Sequence, residues 1–541
     1  MKLIKLKHLL IISIIGLLIV LFGWQGVLEL RAEEPRRAVV AMEMLFSDNY
    51  IIPKISGWSY YNKPPVFNWI MVLFFKLFNS LEEWVVRMPS LVSLLVLAVV
   101  NYKIVKKWLD KKIAVLSSLF FLTSAEILFY GSINSGEIDF FYSLIVFLQV
   151  MSLFHFYEKK NYLLLFLCSY FLMATGLLTK GLTSFAFQVF SLFGLVLYSK
   201  NWKIAFTWQH LAGIIVLITT IGGYLYAYNQ YDDALNIVIN QFKEASDRVT
   251  SLLKTIVNFF LFPFFLGKLV FPWALFLPFL IIKNIRQQLW DNKLLRYGVF
   301  FCVTNLPLYW LSGNLKGRYL YMFFPFLCLF AAYAFCRVDS SNKYFDSVKK
   351  IFSVITFLVP IASVVAVFVP ITAGLPNFVL KSILVFAIAS FLVYCYYKTK
   401  QYGIYYFILI VITARLLFNF TYLPALQQQS KTLVYRNEMK KITAITKNEQ
   451  VFLYGEPHQF KAKATIGSLK IKERTLTTAP LIAYQIPYYL TKYTEKPLIF
   501  HEVMETGNYY ILPKKMLESE LPLYTFFDLW LNSEMVLIRK T

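Results

Sequence analysis

Apolar residues in this chain fall into long runs separated by short polar links, and about thirteen runs are long enough to cross roughly 30 Å of hydrocarbon. They centre near residues 18, 96, 122, 147, 171, 190, 218, 277, 305, 327, 361, 387 and 411. This pattern predicts an α-helical polytopic membrane protein. A shorter run from Pro65 to Phe78 carries Asn68 and Lys76 and reads as an interfacial helix on the outer face. Beyond about Tyr422 the period changes. A helix-like run from Arg436 to Thr446 precedes strand-like runs at Val451 to Tyr454, Tyr509 to Leu512 and Met535 to Ile538, the signature of a small α/β domain. The expected division is a membrane domain over residues 1–421, its first outer loop at about residues 29–86, and a C-terminal α/β domain over residues 422–541.

Composition agrees: 58% of the residues are hydrophobic and only 16% are charged, too apolar a balance for a soluble chain of this length. The run from about Leu9 to Leu28 is followed by no small-residue cleavage pattern and reads as an anchored first helix. A net charge of +24 raises the question of nucleic acid, but the cations lie in links between spans, where topology and lipid phosphate account for them. Membrane lipids, not nucleic acid, are the expected contacts. Five cysteines lie in or beside apolar runs, without disulfide or zinc spacing.

Lysines before the first span, and cation-rich links at Lys103 to Lys112, Lys159 and Lys160, Lys283 to Arg296 and Arg337 to Lys350, set the orientation. The N-terminus is expected in the cytoplasm, and an odd number of spans sends the tail to the outer face.

The outer links hold the residues that need explaining. The first loop opens Glu29-Leu-Arg-Ala-Glu33-Glu34-Pro-Arg36-Arg37 and later reads Tyr60-Tyr-Asn-Lys63-Pro-Pro. Glu33 and Glu34 fit either an acidic helix start or carboxylates that take a proton or orient an acceptor, with Arg36 raising affinity for phosphate. Glu137 and Asp139 stand at the mouth of a span, where a carboxylate either caps a helix or faces a cavity or cation. Lys63, Lys180, Arg248, Lys316 and Arg318 fall on the side that topology should deplete of cations. Each alone could snorkel to a lipid headgroup; together they point to one anionic ligand, and the charge pattern suits a phosphate. The histidines are scattered, and no Walker loop or dinucleotide fingerprint is present.

At these residues the sequence resembles the lipid A aminoarabinose transferases and the related bacterial dolichyl-phosphate-mannose-type protein mannosyltransferases. The matching runs are Arg31 to Ala38, Met42 to Leu45, Tyr50 to Pro53, Gly57, Tyr60 to Pro65 with Trp69, Ile138-Asp139, Thr179-Lys180-Gly181, Arg248, Pro272-Trp273, and Lys316 to Tyr319 followed by Pro325. The resemblance implies a C-type integral-membrane glycosyltransferase of the bacterial inner membrane. It would move a sugar, with inversion, from an undecaprenyl phosphate carrier to lipid A, another glycan or a protein on the periplasmic face. It places Glu33, Glu34 and Asp139 as catalytic, Lys63 and Arg248 on the carrier phosphate, and Tyr60 and Tyr319 near it. Arg36, Glu137, Lys180, Lys316 and Arg318 complete the expected binding set. No cofactor is required. Glu33 stands for the family's Asp, and Asn62 stands where relatives often carry an acid, which weakens the case for a divalent metal. A transporter or flippase, or a polymerase or ligase of lipid-linked saccharides, shares the need for outer cations and remains the competing reading.

Overall fold

The computed structural model describes residues 5–130, 132–246, 252–311, 316–339, 341–466 and 469–541. Among them, nine helices are long and apolar enough to cross a membrane: Glu83–Trp108, Lys111–Phe129, Asp139–Glu158, Tyr162–Lys180, Trp208–Tyr228, Gly317–Arg337, Lys343–Val367, Phe378–Lys398 and Gly403–Gln428. Each covers one of the predicted span centres. These are the helices of an integral membrane protein. The Gly317–Arg337 segment lies innermost, 83% of its apolar stretch being buried, whereas Trp208–Tyr228 is 17% buried and presents its side chains outward.

The other four predicted spans form shorter elements. Leu6–Phe22 and Thr183–Ser199 are helices of 17 residues. The run near residue 277 winds as a 3₁₀-helix over the nine residues Trp273–Ile281, with Pro278 inside it. A proline removes a backbone donor, and nine residues at about 2 Å each fall well short of the hydrocarbon thickness. The run near residue 305 is a 13-residue helix, Lys293–Asn305, that stops before Pro307. From Tyr231 to Leu269, where no span centre is predicted, lie two further helices, Ala234–Ser246 and Leu252–Leu269. The second exposes Phe260 and Phe264.

The first loop is ordered by local rules. The helix Glu34–Ser47 starts with Pro35 in its first turn. A hairpin of β1 (Lys54–Ile55) and β2 (Trp58–Ser59) turns through Ser56 and Gly57, both at positive φ. The Glu43 carboxylate accepts the backbone N–H of both turn residues, Gly57 at 3.0 Å. The Pro65 to Phe78 run is the helix Val66–Phe78, with Phe67, Met71 and Phe75 buried and Leu73 and Leu77 exposed.

The Gly403–Gln428 helix runs unbroken through residue 422. After it come the helix Leu433–Ile445 and seven strands: β3 (Val451–Leu453), β4 (His458–Ile466), β5 (Leu469–Thr478), β6 (Ile499–Phe500), β7 (Tyr509–Pro513), β8 (Tyr524–Asp528) and β9 (Ser533–Arg539). Five of them form a mixed sheet in the order β6-β3-β7-β9-β8, with β3 parallel to both neighbours. The pair β4 and β5 forms a separate antiparallel ribbon that lies against the Ala234–Ser246 helix. Lys243 Nζ donates to the Lys461 carbonyl at 3.0 Å, and Arg474 pairs with Asp233.

Candidate functional site

Glu34 is held on every side. Its carboxylate accepts from Arg87 through Nε at 2.8 Å and Nη2 at 3.1 Å, from the Gly136 N–H at 2.6 Å and from the Arg31 N–H at 2.9 Å. Arg87 in turn donates to the carbonyls of Leu28 at 2.9 Å and Glu29 at 3.0 Å. Both side chains are buried. One ion pair thereby joins the end of the first apolar segment, the first-loop helix, the Glu83–Trp108 helix and the loop before Asp139. Gly136 permits the last contact, because a Cβ there would lie 2.9 Å from the Val86 carbonyl oxygen. The carboxylate expected to share catalysis with Glu33 is enclosed, with no face open to a substrate.

That loop delivers Glu137 and Asp139 into a cluster of cations. Asp139 opens the Asp139–Glu158 helix and pairs with Lys180, the last residue of the Tyr162–Lys180 helix. Arg318 lies 2.8 Å from Glu137 and 3.8 Å from Asp139, and Arg37 lies 3.8 Å from Glu137. Burial pushes the Glu137 carboxyl above its ordinary value, against the pull of Arg37 and Arg318. The Tyr319 ring stands between three cations: Lys180 Nζ at 4.6 Å from its centre, Arg318 at 5.7 Å and Lys316 Nζ at 5.8 Å. Three of the five cations that the sequence grouped only by topology, Lys180, Lys316 and Arg318, here share one locus. Their carboxylates are neutralised by side chains, a donor set that does not fit the uncompensated acids a divalent cation takes.

A second group adjoins the first. Glu33 pairs with Arg36 one turn on, and its side chain keeps 35% of its surface exposed. The Arg36 guanidinium lies 5.5 Å from the ring of Tyr60 and 5.7 Å from that of Tyr484. The Tyr60 hydroxyl is buried without a hydrogen-bond partner, an arrangement proteins rarely keep unless a ligand or water completes it. Lys63 pairs with Glu244 of the Ala234–Ser246 helix. The same helix fixes the Tyr61-Asn62 backbone, through Asn240 to the Tyr61 carbonyl at 3.1 Å and Gln241 to the Asn62 carbonyl at 2.9 Å. Gly181, at φ +83°, admits Gln241, whose amide oxygen would sit 2.1 Å from a Cβ there. Arg248 lies outside the described residues.

Sequence reasoning missed four contributors. Arg87 and Arg415 are cations inside apolar helices, a signal that can be read from sequence. Arg415 is fully buried and donates to the Leu128 carbonyl and to Asn134, bracing the segment that precedes Glu137. Glu244 and Tyr484 carry no such signal and come to the site only through tertiary contact.

Residues 62–224, which include Lys63, Arg87, Glu137, Asp139 and Lys180, match the family described as dolichyl-phosphate-mannose-protein mannosyltransferase. Over 391 residues the chain is 24% identical to an undecaprenyl phosphate-alpha-4-amino-4-deoxy-L-arabinose arabinosyl transferase of Yersinia pestis (strain Pestoides F), covering 68% of this chain and 66% of that one. A like-named transferase of Enterobacter sp. (strain 638) is 29% identical over 209 residues, 36% of each chain. The fold superposes on the crystal structure of ArnT from Cupriavidus metallidurans bound to undecaprenyl phosphate with a TM-score of 0.67 at 15% identity, over 99% of this chain and 98% of that one. The chain is similar to these transferases over just under two thirds of their length, and the superposition shows that it shares their fold. The family match ends at residue 224, so Arg318 and Tyr319 enter the site from outside it.

Proposed function

We propose that this protein is an inverting glycosyltransferase that takes a sugar from an undecaprenyl phosphate carrier and transfers it to lipid A, another envelope glycan or a protein on the periplasmic face. The observation that carries the reading is the set of three cations around the Tyr319 ring, beside Asp139. In the donor the phosphate is a diester with one negative charge, and it leaves as a monoester with two. Lys180, Lys316 and Arg318 stabilise the charge that appears as the bond from the anomeric carbon to phosphate oxygen breaks. Lys63, in the first loop beside Glu244, adds a further cation on the carrier's side.

Glu33 and Asp139 then divide the work. Glu33 is accessible and takes the proton of a hydroxyl acceptor as its oxygen attacks the anomeric carbon from the face opposite the phosphate. Asp139 is buried and holds Lys180 and Arg318 in place. Glu137 does the same for Arg318, and Glu34 acts as a positioning residue through Arg87. Tyr60 offers its unpartnered hydroxyl to the donor sugar or phosphate. The proposed reaction runs without a cofactor and without a metal.

The thirteen-span topology belongs to the same proposal. With the N-terminus cytoplasmic, the shorter elements near residues 18, 190, 277 and 305 complete the count. Residues 1–421 then form the transferase domain, and residues 422–541 stand on the periplasmic side. Purified protein in nanodiscs, given undecaprenyl phosphate carrying a labelled sugar, is expected to move the label to an envelope acceptor. A carrier that changes leaflet in liposomes while keeping its sugar contradicts the proposal and supports a flippase.

A further inference from the structure

Two cavities meet on the outer side of the candidate site. The first, about 420 Å³, lies between Arg36, Tyr60, the Asn240 to Glu244 turn of helix and the β4-β5 ribbon. The second, about 370 Å³, lies within the C-terminal sheet unit, at the ends of β3 and β7, where Leu453 and Pro513 stand. Both are lined by His458, Pro480 and Leu481, so they adjoin at these three residues, and a ligand crossing there would treat them as one groove. Its inner end touches Arg36, the partner of Glu33. Its outer end is the carboxyl edge of two parallel strands, the place where open α/β sheets accept ligands.

The lining says what fits. Trp58, Tyr61, Phe460 and Tyr484 supply flat apolar faces in the first cavity, and Asn62 and Asn240 supply amide donors and acceptors there. Gln459 and Lys515 add polar groups in the second. Aromatic faces interleaved with amides suit sugar rings, which present C–H faces and a rim of hydroxyls. The second cavity is lined only by residues 453–535, none of them on the apolar helices. A ligand that fills both must therefore extend away from the spans.

We infer that the acceptor is an oligosaccharide laid along this groove, its reacting hydroxyl at Glu33 and its further sugar residues passing His458 into the pocket at β3 and β7. The inference rests on the transferase reading and adds the acceptor's class and path. Leu481 lies at the junction and is 39% exposed, so it can be enlarged without disturbing a core.

The test uses full-length protein in nanodiscs and two probes, delipidated lipopolysaccharide core oligosaccharide and undecaprenyl phosphate. Wild type is expected to bind the oligosaccharide saturably. Leu481→Trp should weaken that binding tenfold or more, Leu481→Ala less than twofold, and neither should change undecaprenyl phosphate binding. No saturable binding by wild type, or equal binding by Leu481→Trp, overturns the inference. Full displacement of the oligosaccharide by lipid A stripped of its core overturns it too, because a lipid headgroup then occupies the groove. Failure of the wild type to bind undecaprenyl phosphate instead strikes the transferase reading beneath it.

Discussion

Arg87 grips Glu34 through two nitrogens, at 2.8 and 3.1 Å, in a pair that water does not reach. Glu33, its neighbour in sequence, points to the open side. Two adjacent glutamates thus take opposite parts. Removing one partner of a buried pair leaves the other charge stranded, at a cost of about 3–5 kcal/mol. Arg87→Met and Glu34→Ala are therefore expected to lower the thermal midpoint in detergent markedly. Glu33→Gln should leave that midpoint within about a degree while abolishing transfer; equal midpoints for Glu33→Gln and Glu34→Ala contradict this division.

Lys180 makes its charge available at the Tyr319 ring while paired with Asp139. Hydrogen bonds to charged groups contribute about 1.5–3 kcal/mol. Lys180→Gln should weaken undecaprenyl phosphate binding roughly tenfold or more by the same energies, as read by titration in nanodiscs. A similar loss is expected for Arg318→Gln. Unchanged affinity in both variants removes the phosphate from this locus.

Glu43 gives the first loop a pH dependence. Burial pushes its carboxyl up to about 7, against the ordinary 4.5, despite the two backbone N–H groups that favour the charged form. A raised acid binds its proton more tightly in the folded chain. Its contribution is full below about pH 4.5 and is lost as the pH rises through about 7. Thermal stability should fall between pH 5 and 8, and Glu43→Gln should flatten that dependence. A wild-type midpoint no more pH-dependent than that of the variant would show that the group is not shifted.

Arg415 braces the segment before Glu137 without touching a carboxylate in the cluster. Arg415→Lys can reach only one of the two acceptors. Transfer is expected to drop about tenfold while undecaprenyl phosphate affinity holds, a split between turnover and binding that kinetics and titration resolve.

The membrane fold was legible in the sequence because span length and apolar runs obey the thickness of a bilayer, and nine runs matched. The runs near residues 277 and 305 form shorter elements than their apolar length suggests, because apolarity does not register the prolines within and beside them. Strands β3, β7 and β9 showed themselves by their apolar character. The β4-β5 ribbon did not, since its lysines and threonines read as loop and its partner is a distant helix. In the site, cations in links read as outer singled out Lys180 and Arg318, and a carboxylate at the mouth of a span singled out Asp139, but no sequence signal separated Glu33 from Glu34. That separation depends on Arg87, 53 residues away from Glu34.

The most direct measurement follows labelled sugar from undecaprenyl phosphate to acceptor with wild type, Glu33→Gln, Asp139→Asn and Lys63→Ala, all inserted and folded to equal extent. Transfer by wild type and at least a ~100-fold loss in each variant, the range general acid–base and electrostatic groups command, is the predicted result. Label that stays on the carrier with wild type, or full transfer by all three variants, contradicts the account.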